Sequence, residues 1–278
     1  MEKPYVDLHI HSIYSDGTMS PEEIVETAIS NRVGVLAVSD HNVLGGSIET
    51  QKLCKERGVR CIPAVEIDGL DGETNFHILA YGFDVNDQQF AEFIKHTRFL
   101  LDEQSVKLIE RMQIDYPSLS LAEFMGFSHD RRLGGWKSIH YFKDKGLVSS
   151  LKEGMKFYSE YGIEFKESGF STIAAIAYRI KKAGGYSVLA HPGVVMDISD
   201  IDEFKQELKR IVSFGIDGVE CYYPTHSEAV TEACLDVCNE LGLMITVGSD
   251  CHGAFWGSKG PIGMMQITMD RLRIEKLI

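Results

Sequence analysis

The sequence predicts an α/β protein built on a parallel sheet, open or closed into a barrel. Three observations predict it. Short apolar or β-branched runs recur along the chain, and several are followed by a stretch with helical spacing, the alternation that builds parallel sheets. The first helical stretch carries a complete start signal. Nearly every strand run delivers a His, Asp or Glu at or just beyond its C-terminal edge, and that rim is where active sites of parallel α/β folds assemble.

The strand runs are expected at 5–9, 33–39, 60–66, 76–81, 186–190, 215–221 and 243–248. In the first, VDLHIHS, Val6, Leu8 and Ile10 alternate with Asp7, His9 and His11. Residues two apart share a face, so His9 and His11 point the same way. The helix at 21–31 opens with Ser20 as N-cap, Pro21 at its first position and Glu23 three residues after the cap, a capping box. Further helices are expected at 45–57, 172–183, 200–214 and 227–241. Between 87 and 170 the rhythm breaks. A long helix covers 87–114 and stops before Pro117. The segment 129–146 then carries Arg131, Arg132, Lys137, Lys143 and Lys145 against Asp130 and Asp144, a local positive excess that reads as a solvated helix face or as a lid receiving an anionic substrate.

Composition sets limits on function. A net charge of −13, from 28 basic and 41 acidic residues, disfavours non-specific polyanion binding and so excludes long duplex nucleic acid as the main partner. Six cysteines without a C-x-x-C pair suit a reducing compartment. The N-terminus has no signal-like apolar region, and no run is long enough to span a membrane. A soluble cytoplasmic protein is expected.

The unusual side chains form one pattern. His9 and His11 end the first strand, with Asp16 in the loop beyond. Asp40 and His41 end the second, and Glu66 ends the third. His77 lies at the start of the fourth, and His191 and Glu220 end the fifth and sixth. Asp250 and His252 end the last. A single strand histidine is usually a satisfied core residue. Buried ionisable groups in this number must be paired or metal-bound, and mixed His/carboxylate sets hold Zn, Mn or Fe. The set exceeds what one tetrahedral ion uses, so two or three divalent ions are expected, with Glu66 as the bridging carboxylate. Close cations of this kind clamp an in-line displacement at phosphorus.

These residues resemble a known family. VDLHIHSIYSDGTMSPEEIVETAISNRVGVLAVSDHNVLGG, LAHP at 189–192 and SDCH at 249–252 are similar to motifs of the PHP (polymerase and histidinol phosphatase) superfamily. GVECYYPTHS at 218–227 resembles a segment of its single-domain phosphoesterases acting on nucleotides and short oligonucleotides. The resemblance implies a distorted (β/α)7 TIM-like barrel from 1–86 and 171–278, with 87–170 as an inserted helical lid. It also implies that His9, His11, Glu66 and Asp250 hold one ion, that Glu66, His77 and His191 hold a second, and that Asp16, His41 and His252 hold a third. Many trinuclear relatives have His in place of Asp16. Asp40 and Glu220 would orient ligands from behind.

In the nucleotide-hydrolysing branch the insertion carries a G-R-P-H-like motif. Here the matching place reads Gly135-Trp136-Lys137-Ser138-Ile139. Arg132, Lys137, Tyr222 and His226 are the substrate-contact candidates, with Tyr223 beside Tyr222 for stacking and His226 also a candidate proton donor to the leaving group. Glu66 and Asp250 complete the catalytic set. The expected function is hydrolysis of a small phosphomonoester, nucleotide-like by preference, through metal-bound hydroxide. A histidinol-phosphate phosphatase, a 5′-3′ exonuclease on short oligonucleotides and a non-catalytic metal-binding module are the alternatives.

Overall fold

A computed structural model describes residues 3–196, 198–255 and 260–278. Among these, eight strands form two sheets. The first contains β1 (Tyr5–Ile10), β2 (Val33–Val38) and β3 (Arg60–Cys61), all parallel. Helices α1 (Pro21–Ser30) and α2 (Gly45–Arg57) make the crossovers. The capping box at Ser20 forms: its hydroxyl accepts from the Glu23 N–H at 3.3 Å, and Glu23 accepts from the Ser20 N–H at 2.8 Å.

The second sheet has the order β4 (Ala64–Asp71), β5 (Thr74–Tyr81), β6 (Tyr186–Leu189), β7 (Gly218–Tyr222), β8 (Met244–Val247). Two sequence expectations are corrected here. The single run at 60–66 divides into β3 and β4, which belong to different sheets. Pro63 lies at the break, where a residue without an N–H cannot continue a ladder. The sheet is not all parallel either, because β5 runs antiparallel to both β4 and β6. A tight hairpin at Gly72, with φ +60°, returns the chain beside β4, and the two strands stay in register from Ala64–Tyr81 to Asp71–Thr74. This reversal brings His77, near the start of β5, opposite Asp68 on β4.

Among the described residues the ladder does not run continuously round a closed barrel. The two sheets meet through single bridges, Ile10 with Cys251 and His41 with Glu66. Both bridges fall among the His and acid positions. The register of β1 against β2 also shifts between Asp7 and Ile10, and such an irregularity re-aims side chains.

Helix α3 (Gln88–Met112) is the expected long helix. It is followed by α4 (Leu121–Gly126), α5 (Lys137–Asp144) and α6 (Lys156–Glu160). Phe90, Phe93 and Ile94 at the start of α3 belong to the main core with Ile78, Ile176 and Ile180. Leu108, Ile109 and Met112 near its end join a separate core with Phe124, Ile139, Phe142 and Phe157. The chain returns through α7 (Ile173–Lys182), α8 (Pro192–Val195), α9 (Ile201–Val212) and α10 (Glu228–Leu241).

Gly248 directly follows β8 and packs against His9 and Glu220. A Cβ there would collide with His9 Cβ and Glu220 Oε1. Gly248→Ala is expected to cost about 1–3 kcal/mol through overpacking and to displace His9. Thermal melting alongside metal content checks it, and an unchanged melting temperature with full metal content would refute the close approach.

Candidate metal centre

Glu66 is the hub. Its Oε1 lies 2.9 Å from His77 Nδ1 and 3.1 Å from His191 Nε2. Its Oε2 lies 3.2 Å from His9 Nε2, His11 Nε2 and His41 Nδ1. Five imidazoles thus converge on one buried carboxylate. Asp250 Oδ1 approaches His11 Nε2 at 3.1 Å and His9 Nε2 at 3.5 Å. Beside them His252 Nε2 lies 3.2 Å from Asp16 Oδ2, and the His252 and His11 rings stack at 4.0 Å.

The donor set fits cations. Glu66 Oε2, His11 Nδ1, Asp16 Oδ1 and His191 Nδ1 are buried with no hydrogen-bond partner, although buried polar atoms are normally satisfied. The His9 and His11 Nε2 atoms face each other at 3.1 Å, an approach that suits lone pairs directed at a shared ion. Four groups have ligand atoms mutually within 4.8 Å: His9, His11 and Glu66; His41, Glu66 and His77; His9, His191 and Asp250; and His11, Asp16, His41 and His252. The third expected set, Asp16, His41 and His252, falls within the last of these groups, and His77 and His191 both face Glu66 Oε1; the groups also join His191 to His9 and Asp250, and His41 to Glu66 and His77.

An outer ring of hydrogen-bonding groups holds these candidate ligands. Glu220 accepts from His9 Nδ1 at 3.0 Å and from the His191 N–H at 2.8 Å. Asp40 accepts from the Ser12 N–H, the Ser12 hydroxyl and the Ser15 hydroxyl at 2.8, 2.7 and 2.6 Å, and so fixes the loop that carries Asp16. Tyr223 donates to Asp250 Oδ2 at 2.8 Å. His191 and Asp250 adopt positive φ, 29° and 50°, a conformation that non-glycine residues hold only when the surroundings enforce it.

Proton affinities follow from this crowding. Burial lowers the His11 and His77 imidazoles, but Asp250, Glu66 and Asp16 beside His11, and Glu66 and Asp68 beside His77, outweigh it and raise them to about 9 and about 10. Burial dominates at His41, lowering it to about 4. Burial also raises Glu66 and Asp250, yet the surrounding imidazoles hold both well below the usual carboxylate range.

Three expected contacts are corrected. His226 is not available to a phosphate or leaving group: its Nδ1 faces the Cys221 carbonyl at 3.1 Å and its Nε2 accepts from the Gly193 N–H at 3.1 Å. Arg132 pairs with Glu23 at 2.6 Å on the exterior, and its neighbour Arg131 lines the cleft instead. Tyr222 is buried in the main core beneath Arg271; with a register shift between Glu220 and Tyr222, Tyr223 is the residue that reaches the site. Lys137 does line the cleft, with its ammonium donating to the Met125 carbonyl at 3.0 Å.

The cleft has a volume of about 710 Å³ and runs from Asp16, His41, His77 and His252 to the insertion. Sequence reasoning missed Asp68 and Arg98. Asp68 flanks His77 Nε2 at 3.4 Å; it follows Glu66 by two residues in AVEID, which could have signalled a shared face. Arg98 lies inside a helix otherwise ordinary in pattern and carried no signal.

Residues 7–219 match the profile of the PHP domain. The chain belongs to the PHP domain family. It is 27% identical over 259 residues to a 5′-3′ exoribonuclease of Haemophilus influenzae, covering 91% of each chain. It is 26% identical to a phosphoribosyl 1,2-cyclic phosphate 1,2-diphosphodiesterase of Eggerthella lenta (90% and 94% covered) and 24% identical to a 3′,5′-nucleoside bisphosphate phosphatase of Chromobacterium violaceum (91% and 89% covered). A Bifidobacterium adolescentis structure assigned as a metal-dependent phosphoesterase shares the fold at TM-score 0.76 and 22% identity, with 99% of this chain and 96% of that one covered. Among the described residues, no helix of this PHP chain is long and apolar enough to cross a membrane.

In metal-free protein His11 and His77, held near 9 and 10, bind protons more tightly than in the unfolded chain, where histidine titrates near 6.5. Their contribution is complete below 6.5 and disappears as pH rises through 9 to 10. His41, held near 4 against 6.5, contributes above 6.5 and its share is lost as pH falls toward 4. Chelator-treated protein should therefore melt highest near pH 6.5. Metal binding should reverse the alkaline slope, because ligands must shed protons. Melting curves from pH 4 to 10 with and without Mn check both signs.

Proposed function

We propose that this protein is a metal-dependent phosphoesterase acting on a small, nucleotide-like phosphoester. The observation that carries the reading is the convergence of five imidazoles on the buried Glu66 carboxylate, at the floor of a cleft large enough for a small ligand. His9, His11, Asp16, His41, Glu66, His77, His191, Asp250 and His252 would hold two or three divalent ions of the Mn, Zn or Fe class. Such ions, when bound, acidify coordinated water and neutralise phosphate oxygens.

The chain's own groups supply the rest. Glu220, Asp68 and Tyr223 are positioning residues for His9, His77 and Asp250. Outer-ring partners of this kind fix ring orientation and raise ligand basicity. Arg131 and Lys137 bring positive charge to the cleft wall, which offsets the acidity of the molecule for an incoming phosphate. Residues 87–170 act as the lid subdomain, a role supported by their separate core and by the cleft wall they build. The relatives named for exoribonuclease, cyclic phosphodiesterase and bisphosphate phosphatase activities favour nucleotide-like esters over histidinol phosphate.

Phosphate release in Mn-supplemented buffer tests the reading on a panel of mono- and bisphosphorylated nucleotides, a dinucleotide and histidinol phosphate. Turnover of a nucleotide class is expected, and absence of turnover from metal-loaded protein would overturn it. Glu66→Ala should lower activity by on the order of a thousandfold or more and release more than one ion, since a bridging ligand serves two. Full metal content in that variant would remove the bridging role. Asp16→Ala should lose at most one ion, read by elemental analysis.

A further inference from the structure

Arg98 and Trp136 meet on the wall of the cleft, close to the metal cluster. Trp136 follows Gly134 and Gly135, both at positive φ, 68° and 73°. The Gly135 N–H donates to the Asp16 carbonyl at 2.8 Å. That bond pins the insertion to the ligand loop and brings the indole 5.7 Å from the His41 ring, tilted by 52°. Arg98, on α3, lies with its guanidinium carbon 5.5 Å from the indole centroid. Its Nε donates to Asp102 Oδ1 at 3.0 Å, but its Nη1 is buried and donates to no group among the described residues.

The neighbouring cations are already engaged. Lys137 donates to the Met125 carbonyl and covers the Phe124 ring at 4.7 Å. Arg131 donates to the Tyr14 carbonyl at 3.3 Å. Arg98 is engaged too, by Asp102 and by the indole it lies over, but its Nη1 is left without an acceptor beside a cleft whose wall continues through Phe99, Leu101, Phe124 and Met125. Buried guanidinium N–H groups are completed by anions, and an indole face stacks flat rings. An aromatic residue stands where the resemblance leads one to expect arginine, and α3 supplies a cation from elsewhere in the chain.

We propose that Trp136 and Arg98 form the leaving-group subsite of the cleft, with the indole stacking a flat ring and Arg98 Nη1 binding an anionic group carried on that same leaving group. The proposal rests on the phosphoesterase reading and narrows the substrate to a phosphoester whose leaving group is a ring system with its own negative charge. The two residues act on different parts of one ligand, so their effects separate by probe.

The sequence contains two tryptophans, so Trp256→Phe leaves Trp136 as the sole indole, with Trp256 outside the described residues. Its fluorescence is titrated in the full-length protein as isolated with three probes: adenosine, ribose 5-phosphate and adenosine 5′-monophosphate. The nucleotide should quench it and bind tightest. Arg98→Met should weaken the nucleotide and ribose 5-phosphate on the order of tenfold to a hundredfold and leave adenosine unchanged. Trp136→Phe, followed by calorimetry, should weaken adenosine and the nucleotide roughly threefold to tenfold and leave ribose 5-phosphate unchanged. Arg98→Lys should recover part of the loss, and melting curves exclude unfolding. Equal losses for all three probes, or no loss in either variant, would overturn the subsite. Turnover of p-nitrophenyl phosphate and bis(p-nitrophenyl) phosphate, a monoester and a diester, in parallel separates the two readings. Turnover with binding indifferent to both residues overturns the subsite alone. Probe-specific binding without any phosphoester turnover would keep Trp136 and Arg98 as a ligand-binding pair but overturn the hydrolytic reading and, with it, the leaving-group assignment.

Discussion

A buried carboxylate surrounded by imidazoles organises this molecule. Glu66 is 1% exposed, and an ionised carboxylate withdrawn from water costs several kcal/mol unless charge and hydrogen bonds replace the lost hydration. Here the replacement comes from five histidines on four segments. Each segment must end at the right depth for its imidazole to arrive. The strand lengths, the antiparallel turn into β5 and the meeting of the two sheets near Glu66 all serve that requirement.

The imidazoles are constrained from behind as well. Glu220 holds both His9 and the backbone of His191, so it couples β1 to the residues just beyond β6 through one side chain. Asp40 does the same for the loop from Ser12 to Asp16. Asp7 accepts from the Ser249 and Gly263 N–H groups at 2.9 and 2.7 Å, tying the segments after β8 to the first strand. Carboxylates thus perform two tasks, facing the cluster or anchoring the segments that face it. Both kinds are the same residue types in the sequence, and only their surroundings divide them.

Much of this is legible in the sequence. The helix limits at 45–57 match the observed α2 because the segment runs to a left-handed glycine cap at Gly58. The ligand candidates are legible because packing alone does not place so many histidines and acids at strand ends. Other features are not. The split at Pro63 and the reversal of β5 depend on pairing partners distant in the chain, which periodicity does not encode. The commitment of His226 to the Gly193 and Cys221 backbone groups depends on α8 arriving beside it. The selection of Arg131 over Arg132 turns on one residue of rotation in a short 3-10 turn, Arg131–Leu133.

The sequence separation within the cluster bears on biosynthesis. His9 and Glu220 stand 211 residues apart, and Asp7 and Ser249 stand 242 apart. A ribosome delivers the first strand and Glu66 long before His191, Glu220 or Asp250. Until those emerge, the early half exposes histidines and acids with no completed shell, and contacts of such long range form slowly. The first sheet can pair locally from residues 5 to 61, but the geometry of the His and carboxylate cluster is a late product of translation. Maturation of this protein is therefore timed by the last third of this sequence, and a nascent chain released before it would carry a partial sheet without a centre.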